Sequence, residues 1–236
     1  MDGLFSEMSE ITTILTILLG WLLGLLTPGF AERIRRPYRR RDLIEAVIDE
    51  MLGLQFTMAM VAYMVRARRA DVSTDFLDEI LRIAEGYHGP DRNEDLIEAI
   101  KKIRGLSEEE RAALHQAKHK PEVGMALRQY SVPLFATQVA DLTICSRDFQ
   151  RSVLHIRYHL ELFNQIVPDL KSLFEKTYNN PNPQDRAALI ANQEVGYRDA
   201  GKRAEIIMRA IGDLQKKCGP SKKIHPICEL SLTSSG

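Results

Sequence analysis

Between Glu10 and Glu32 the chain carries no charge, and Arg33, Arg35, Arg36, Arg39, Arg40 and Arg41 follow directly after. The uncharged residues 11–31 read ITTILTILLGWLLGLLTPGFA. At a rise of about 1.5 Å per residue, a helix of about 20 such residues crosses the roughly 30 Å hydrocarbon core of a bilayer. The flanks give that crossing a direction. Asp2, Glu7 and Glu10 precede the run without a Lys or Arg, while the arginines crowd its other side. Lys and Arg stay cytoplasmic, so the N-terminus is expected outside and everything after Ala31 in the cytoplasm. An uncleaved anchor is the expectation. A cleaved leader needs a positive n-region, which is missing, and arginines just past Gly29, Phe30 and Ala31 would oppose translocation.

Gly20 and Gly24 stand four residues apart inside this run, on one helix face, where a second backbone can approach closely. Self-association through the membrane helix or the hairpin seam is expected, and the arginine cluster is expected at anionic lipid headgroups. The remaining residues, about 200, suffice for a domain with a real core. Lys plus Arg and Asp plus Glu both total 32, so the chain lacks the basic footprint of a nucleic-acid binder. Cys145, Cys218 and Cys228 are odd in number and widely spaced, as thiols in a reducing compartment are.

Apolar residues recur at helical spacing nearly everywhere and no alternating strand pattern appears. The expected fold is all-α: an N-terminal single transmembrane helix, then a cytoplasmic helical domain with a long antiparallel coiled-coil-like helical hairpin. Four segments follow: an N-terminal segment and anchor at 1–31, a basic juxtamembrane stretch with a compact helical unit at 32–130, the hairpin at 131–217, and a loose tail at 218–236. A first cytoplasmic helix is expected over 42–69. Its residues 51–65 are uncharged on every face, which calls for deep burial, since the stretch is short for a second crossing. Ser73 or Thr74, Asp91 with Glu94, and Ser107 with Glu110 mark the starts of helices over 75–85, 92–104 and 108–118.

The hairpin rests on a seam of Phe135, Val139, Leu142, Ser146, Phe149, Val153, Ile156, Leu160, Phe163, Val167, Leu170 and Phe174, stepping by fours and threes. This predicts one helix over 134–176, kinked ahead of Pro168. Asn182 and Pro183 then start a returning helix over 184–217, with a seam of its own from Ile190 to Leu214.

The chemistry-bearing residues are few. Gly196, Gly201 and Lys202 fall at the spacing of a phosphate-binding loop, but Arg203 stands where that loop needs Ser or Thr, and the surroundings read as helix. His115 with His119 and His155 with His159 are pairs four apart, each able to aim two imidazoles from one face; they are the candidate metal ligands. Gln116 and Ile156 occupy the place of the glutamate that a zinc protease helix needs as general base. No catalytic residue and no cofactor is implied. The expected function is a membrane-anchored cytoplasmic scaffold, adaptor or signalling protein, acting on an unidentified protein partner and on itself, with no nucleic acid. A membrane-tethered metal-dependent enzyme, or a membrane-active effector, is the alternative.

Overall fold

The computed structural model describes the backbone of residues 2–90, 92–118, 123–133 and 141–218, and the side chains there except at 2–15, 22–34, 118, 141 and 218. Six α-helices are described: α1 (Asp2–Arg68), α2 (Thr74–Gly86), α3 (Glu94–Arg104), α4 (Glu108–Lys118), α5 (Arg147–Asn179) and α6 (Pro183–Cys218). A 3-10 turn at Asp141–Ile144 precedes α5. No strand occurs among the described residues, as the periodicity requires of an all-α chain.

The first helix differs from the sequence expectation. It does not begin at residue 42 but runs as one helix of 67 residues from Asp2, carrying the basic stretch and Pro28 and Pro37 within it. Each proline forfeits one backbone bond, but the arginines around Pro37 favour helix, and helix before and after it propagates. Its end is built by the backbone. Asp71 N–H reaches Arg66 O at 3.0 Å and Ala70 N–H reaches Ala67 O at 3.1 Å, with Ala70 in the left-handed region at φ 53°. That is a Schellman cap, in which alanine occupies the place usually taken by glycine.

The short helices start on their caps. Ser73 Oγ accepts from Phe76 N–H at 3.3 Å. Ser107 and Glu110 exchange both bonds of a capping box, at 3.2 and 2.8 Å. For α3 the cap is Asn93, whose Oδ1 accepts from Leu96 N–H at 3.0 Å, rather than Asp91, which lies outside the described residues. Arg92 explains the shift. Its Nη1 turns back onto the carbonyls of Ala84, Glu85 and Tyr87 at the end of α2, so it closes that helix instead of opening the next.

The uncharged middle of α1 is buried: Met51, Met58, Ala59, Val61, Ala62 and Val65 are all at most 2% exposed. It lies antiparallel to α6. Gln55 pairs with Met208 O and Gln215, while Arg68, thirteen residues on, pairs with Glu194. Gln55, the one polar residue in the stripe, thus has its amide group hydrogen-bonded through Nε2 at 3.0 Å and Oε1 at 3.0 Å. The helices approach closely because α6 presents glycine: a Cβ at Gly201 would lie 2.6 Å from Val65 Cγ1. Helices α2 and α4 cover other sides of α1, and α3 packs on α2.

The hairpin pairs α5 and α6 across residues 180–182. Asn182 Oδ1 accepts from Gln184 N–H at 3.0 Å, and Pro183 takes the first helical position. Phe149, Val153, Ile156, Leu160, Phe163, Val167 and Leu170 are buried as the seam predicts, while Phe174 is 39% exposed at its end. Helix α5 is shorter than expected. It starts at Arg147, not 134, because Ser146 is its N-cap, with Oγ accepting from Phe149 N–H at 3.3 Å. Phe135 and Val139 of the seam lie outside the described residues. At the other proline, α5 continues through Pro168. One apolar core runs from Leu43 to Leu214, shared by the segments at 32–130 and 131–217.

Burial decides what each seam side chain contributes. Ile156→Ala or Leu160→Ala, which empties a site 0% or 5% exposed, should cost about 2–5 kcal/mol in urea melts. Arg157→Ala, which loses a partly exposed ion pair to Glu161, should cost less than about 1 kcal/mol. Equal losses at the two kinds of site would contradict this packing.

Candidate functional site

Three sets of residues are candidates: the N-terminal half of α1, the histidines, and a non-helical strap at residues 123–132. In α1, Thr16, Ile17, Leu18, Leu19, Gly20 and Trp21 are consecutive and all exposed, with Ile17 and Trp21 both at 66%. Six consecutive residues go right round a helix, so an apolar surface faces outward on every side. Arg35, Arg36, Tyr38, Arg39, Arg40 and Arg41 are exposed further along the same helix. A Cβ placed on Gly20 would meet nothing within 4 Å, so its face is open. Among the described residues no helix is long and apolar enough to cross a membrane. The side chains at 11–15 and 22–31, like those of Gly24 and Arg33, fall outside that description.

The histidines separate. His115 is buried on α4, edge-on to Tyr63 of α1 with ring centres 6.5 Å apart, and His119 lies outside the described residues. On α5 the expected pair does meet: the rings of His155 and His159 are 4.5 Å apart and close to perpendicular. His155 is exposed, whereas His159 is 8% exposed and its Nδ1 lies 3.1 Å from Arg203 Nη1 on α6. A guanidinium only donates, so Nδ1 accepts and the ring proton sits on Nε2. Burial, then the neighbouring His155 and Arg203, hold the His159 pKa below the usual histidine range. A cation already at Nδ1 repels a metal from the same atom. Among the described residues no group of three or more His, Cys, Asp or Glu is placed to hold a metal ion. Arg203, which breaks the phosphate-loop pattern, is thus a histidine partner inside α6, and Gly196 of that pattern faces Leu170, whose Cδ2 a Cβ would meet at 2.7 Å.

The strap was not visible in the periodicity. Residues 123–132 lie over the hairpin without helix or strand structure and are held mainly by their backbone. Met125 N–H donates to Tyr197 Oη at 2.8 Å, and the same hydroxyl lies 3.2 Å from Met125 O as donor. Asn164 repeats the arrangement at Tyr130: Oδ1 accepts from N–H at 2.9 Å and Nδ2 donates to the carbonyl at 2.7 Å. Gln129 Nε2 donates at 3.0 Å to Asn164 O, the carbonyl that Pro168, lacking an N–H, cannot serve. Arg68, the last residue of α1, closes the set: Nη1 donates to Val123 O at 2.7 Å and Nε to Glu194 at 2.7 Å, with the guanidinium 5.1 Å from the Tyr197 ring centre. Burial raises the Tyr197 hydroxyl above its ordinary pKa, so it stays protonated and able to donate. No signal in the sequence marks Asn164 or Tyr197 for this role, because their strap partners lie 34 and 72 residues away.

An open cleft of about 590 Å³ at the hairpin tip is lined by Lys176, Asn179, Asn180, Asp185, Leu189 and Asn192. No protein-family model, curated protein or solved structure matches this chain.

His159 gives the domain a pH dependence of definite sign. With its pKa depressed on folding, the unfolded chain binds the extra proton first, so its contribution is complete above about pH 6.5 and is lost as pH falls below that value. Melting temperature should drop between about pH 7.5 and 5.5, with a shallower slope in His159→Gln. An identical slope in that variant would contradict the assignment.

Proposed function

We propose that this chain is a single-pass membrane-anchored scaffold, adaptor or signalling protein, with its N-terminus outside and its helical domain in the cytoplasm, acting through protein–protein contacts and self-association. The observation that carries this reading is the exposed apolar turn at Thr16 to Trp21, on the same helix as the exposed arginines. A helix apolar on all sides is disfavoured in water and needs a bilayer or a partner around it. The uncharged length from Ile11 to Ala31 suits a bilayer, and the arginines suit its cytoplasmic surface. Because α1 then continues into the core, whatever happens to the anchor bears directly on the domain. Gly20, open on its face, and Gly24, one turn on, give a second copy a close approach within the membrane.

A C-terminal reporter should read cytoplasmic, and replacing Arg33, Arg35, Arg36, Arg39, Arg40 and Arg41 together with Gln should scramble it. Gly20→Leu with Gly24→Leu should reduce cross-linking between copies in membranes severalfold. A reporter active outside in the unchanged protein would refute the topology, and cross-linking untouched by the leucines would refute the helix face.

A further inference from the structure

We propose that the α5–α6 face beneath residues 123–132 is a groove for a non-helical segment of a partner protein, and that the chain's own strap is the intramolecular occupant of that groove. The proposal rests on the adaptor reading and names what the adaptor grips. Tyr197 and Asn164 each engage both the N–H and the carbonyl of one strap residue, Met125 and Tyr130. A side chain that bonds only main chain is indifferent to which residue it holds, as an added strand is to the sheet edge it joins. Two such clamps five residues apart recognise the main chain of a non-helical segment as such.

Selectivity comes from the spaces between the clamps. At Gly124 a Cβ would lie 2.5 Å from Phe174 Cδ2 and 3.2 Å from Tyr197 Oη, so this position admits glycine. Val132 is buried, Met125, Leu127 and Tyr130 are half-buried with the Tyr130 ring 5.9 Å from that of Phe163, Gln129 donates to Asn164 O, and Ala126, Arg128 and Ser131 are exposed. The occupant this surface fits therefore reads glycine, apolar, any, apolar, any, a side-chain donor, aromatic, any, aliphatic.

The strap is also the kind of segment that another can replace. Within itself it carries one backbone bond, Leu127 N–H to Met125 O at 3.1 Å, and belongs to no helix. Arg68 adds a hold from outside the hairpin, at the end of the helix that begins in the anchor. A tethered occupant competes at high effective concentration, so the intact protein binds a rival weakly and a protein with a weakened strap binds it well.

The test uses the full chain in detergent micelles and a fluorescent peptide of sequence VGMALRQYSVP, residues 123–133. Gly124→Val pushes the strap against Phe174 and leaves the groove unchanged. It should bind the peptide at least about tenfold more tightly than the unchanged protein, because the closed fraction no longer reduces the apparent affinity. A scrambled peptide should not bind, and adding Asn164→Ala should abolish the gain. No binding by a Gly124→Val protein that still melts cooperatively overturns the proposal, as does equal binding by both proteins. Hydrogen exchange on the unchanged protein decides independently of whether the variant folds. The amides of Met125 and Tyr130 should open while the α5 and α6 core stays protected, and opening only together with that core overturns the groove. If the strap instead inserts into a second copy, the unchanged protein forms a concentration-dependent dimer that Gly124→Val dissolves, and a partner segment is ruled out as occupant. None of these outcomes touches the reporter or the membrane cross-links, so the adaptor reading stands or falls separately.

Discussion

A helix with no charge on any side over residues 51–65 has to be wrapped, and the wrapping of that one stretch organises the molecule. Helix α6 lies along it antiparallel, α2 and α4 cover further sides, and α3 braces α2. Each large apolar side chain enclosed there contributes on the order of 1.5–3 kcal/mol. Polar contacts at the far end set the register. Arg66 meets Glu205 at 2.6 Å while its guanidinium sits 4.2 Å from the centre of the Phe76 ring, so a single residue ties α1 to both α6 and α2.

Helix α6 must satisfy two neighbours at once, and it does so with small residues. Gly201 and Gly212 admit α1, the latter with Gln55 Nε2 at 3.2 Å from where a Cβ would be, and Gly196 admits Leu170 of α5. Spacing that resembles a nucleotide loop on paper is thus the footprint of close helix packing. The strap uses the hairpin formed in this way as its bed. Its two clamps sit on different helices, Tyr197 on α6 and Asn164 on α5, so it lies across the pair.

What the sequence made legible was whatever depends on local or periodic order. The helical class, the caps at Ser73, Ser107 and Asn182, the buried middle of α1 and the seam from Phe149 to Leu170 all follow from spacing and capping chemistry. Two errors share a cause. Periodicity has no sense of where a helix begins, so Leu142 and Ser146 extended a seam past the true start of α5, although Ser146 followed by Asp148 is also an N-terminal signal. Likewise a helix expected from residue 42 is the continuation of α1, which runs from Asp2. The strap clamps were hidden for another reason. Asn164 with Tyr130, and Tyr197 with Met125, are bonds between residues 34 and 72 apart, which no local pattern encodes. The histidines were half legible: spacing brought His155 to His159, but only the fold supplies Arg203.

Continuity of α1 from its apolar N-terminal stretch into the core is what the proposed anchor depends on. It is tested most directly by the distance between spin labels at Trp21→Cys and Asp49→Cys, both exposed positions on either side of Pro28 and Pro37, with Cys145, Cys218 and Cys228 replaced by serine. The protein would be reconstituted in nanodiscs and diluted with unlabelled chains to suppress distances between copies. A continuous helix predicts one narrow distribution centred near about 42 Å, from about 1.5 Å per residue. A broad distribution, or one centred below about 35 Å, would show a hinge at a proline and contradict the account, since an anchor free to swivel has no direct hold on the core.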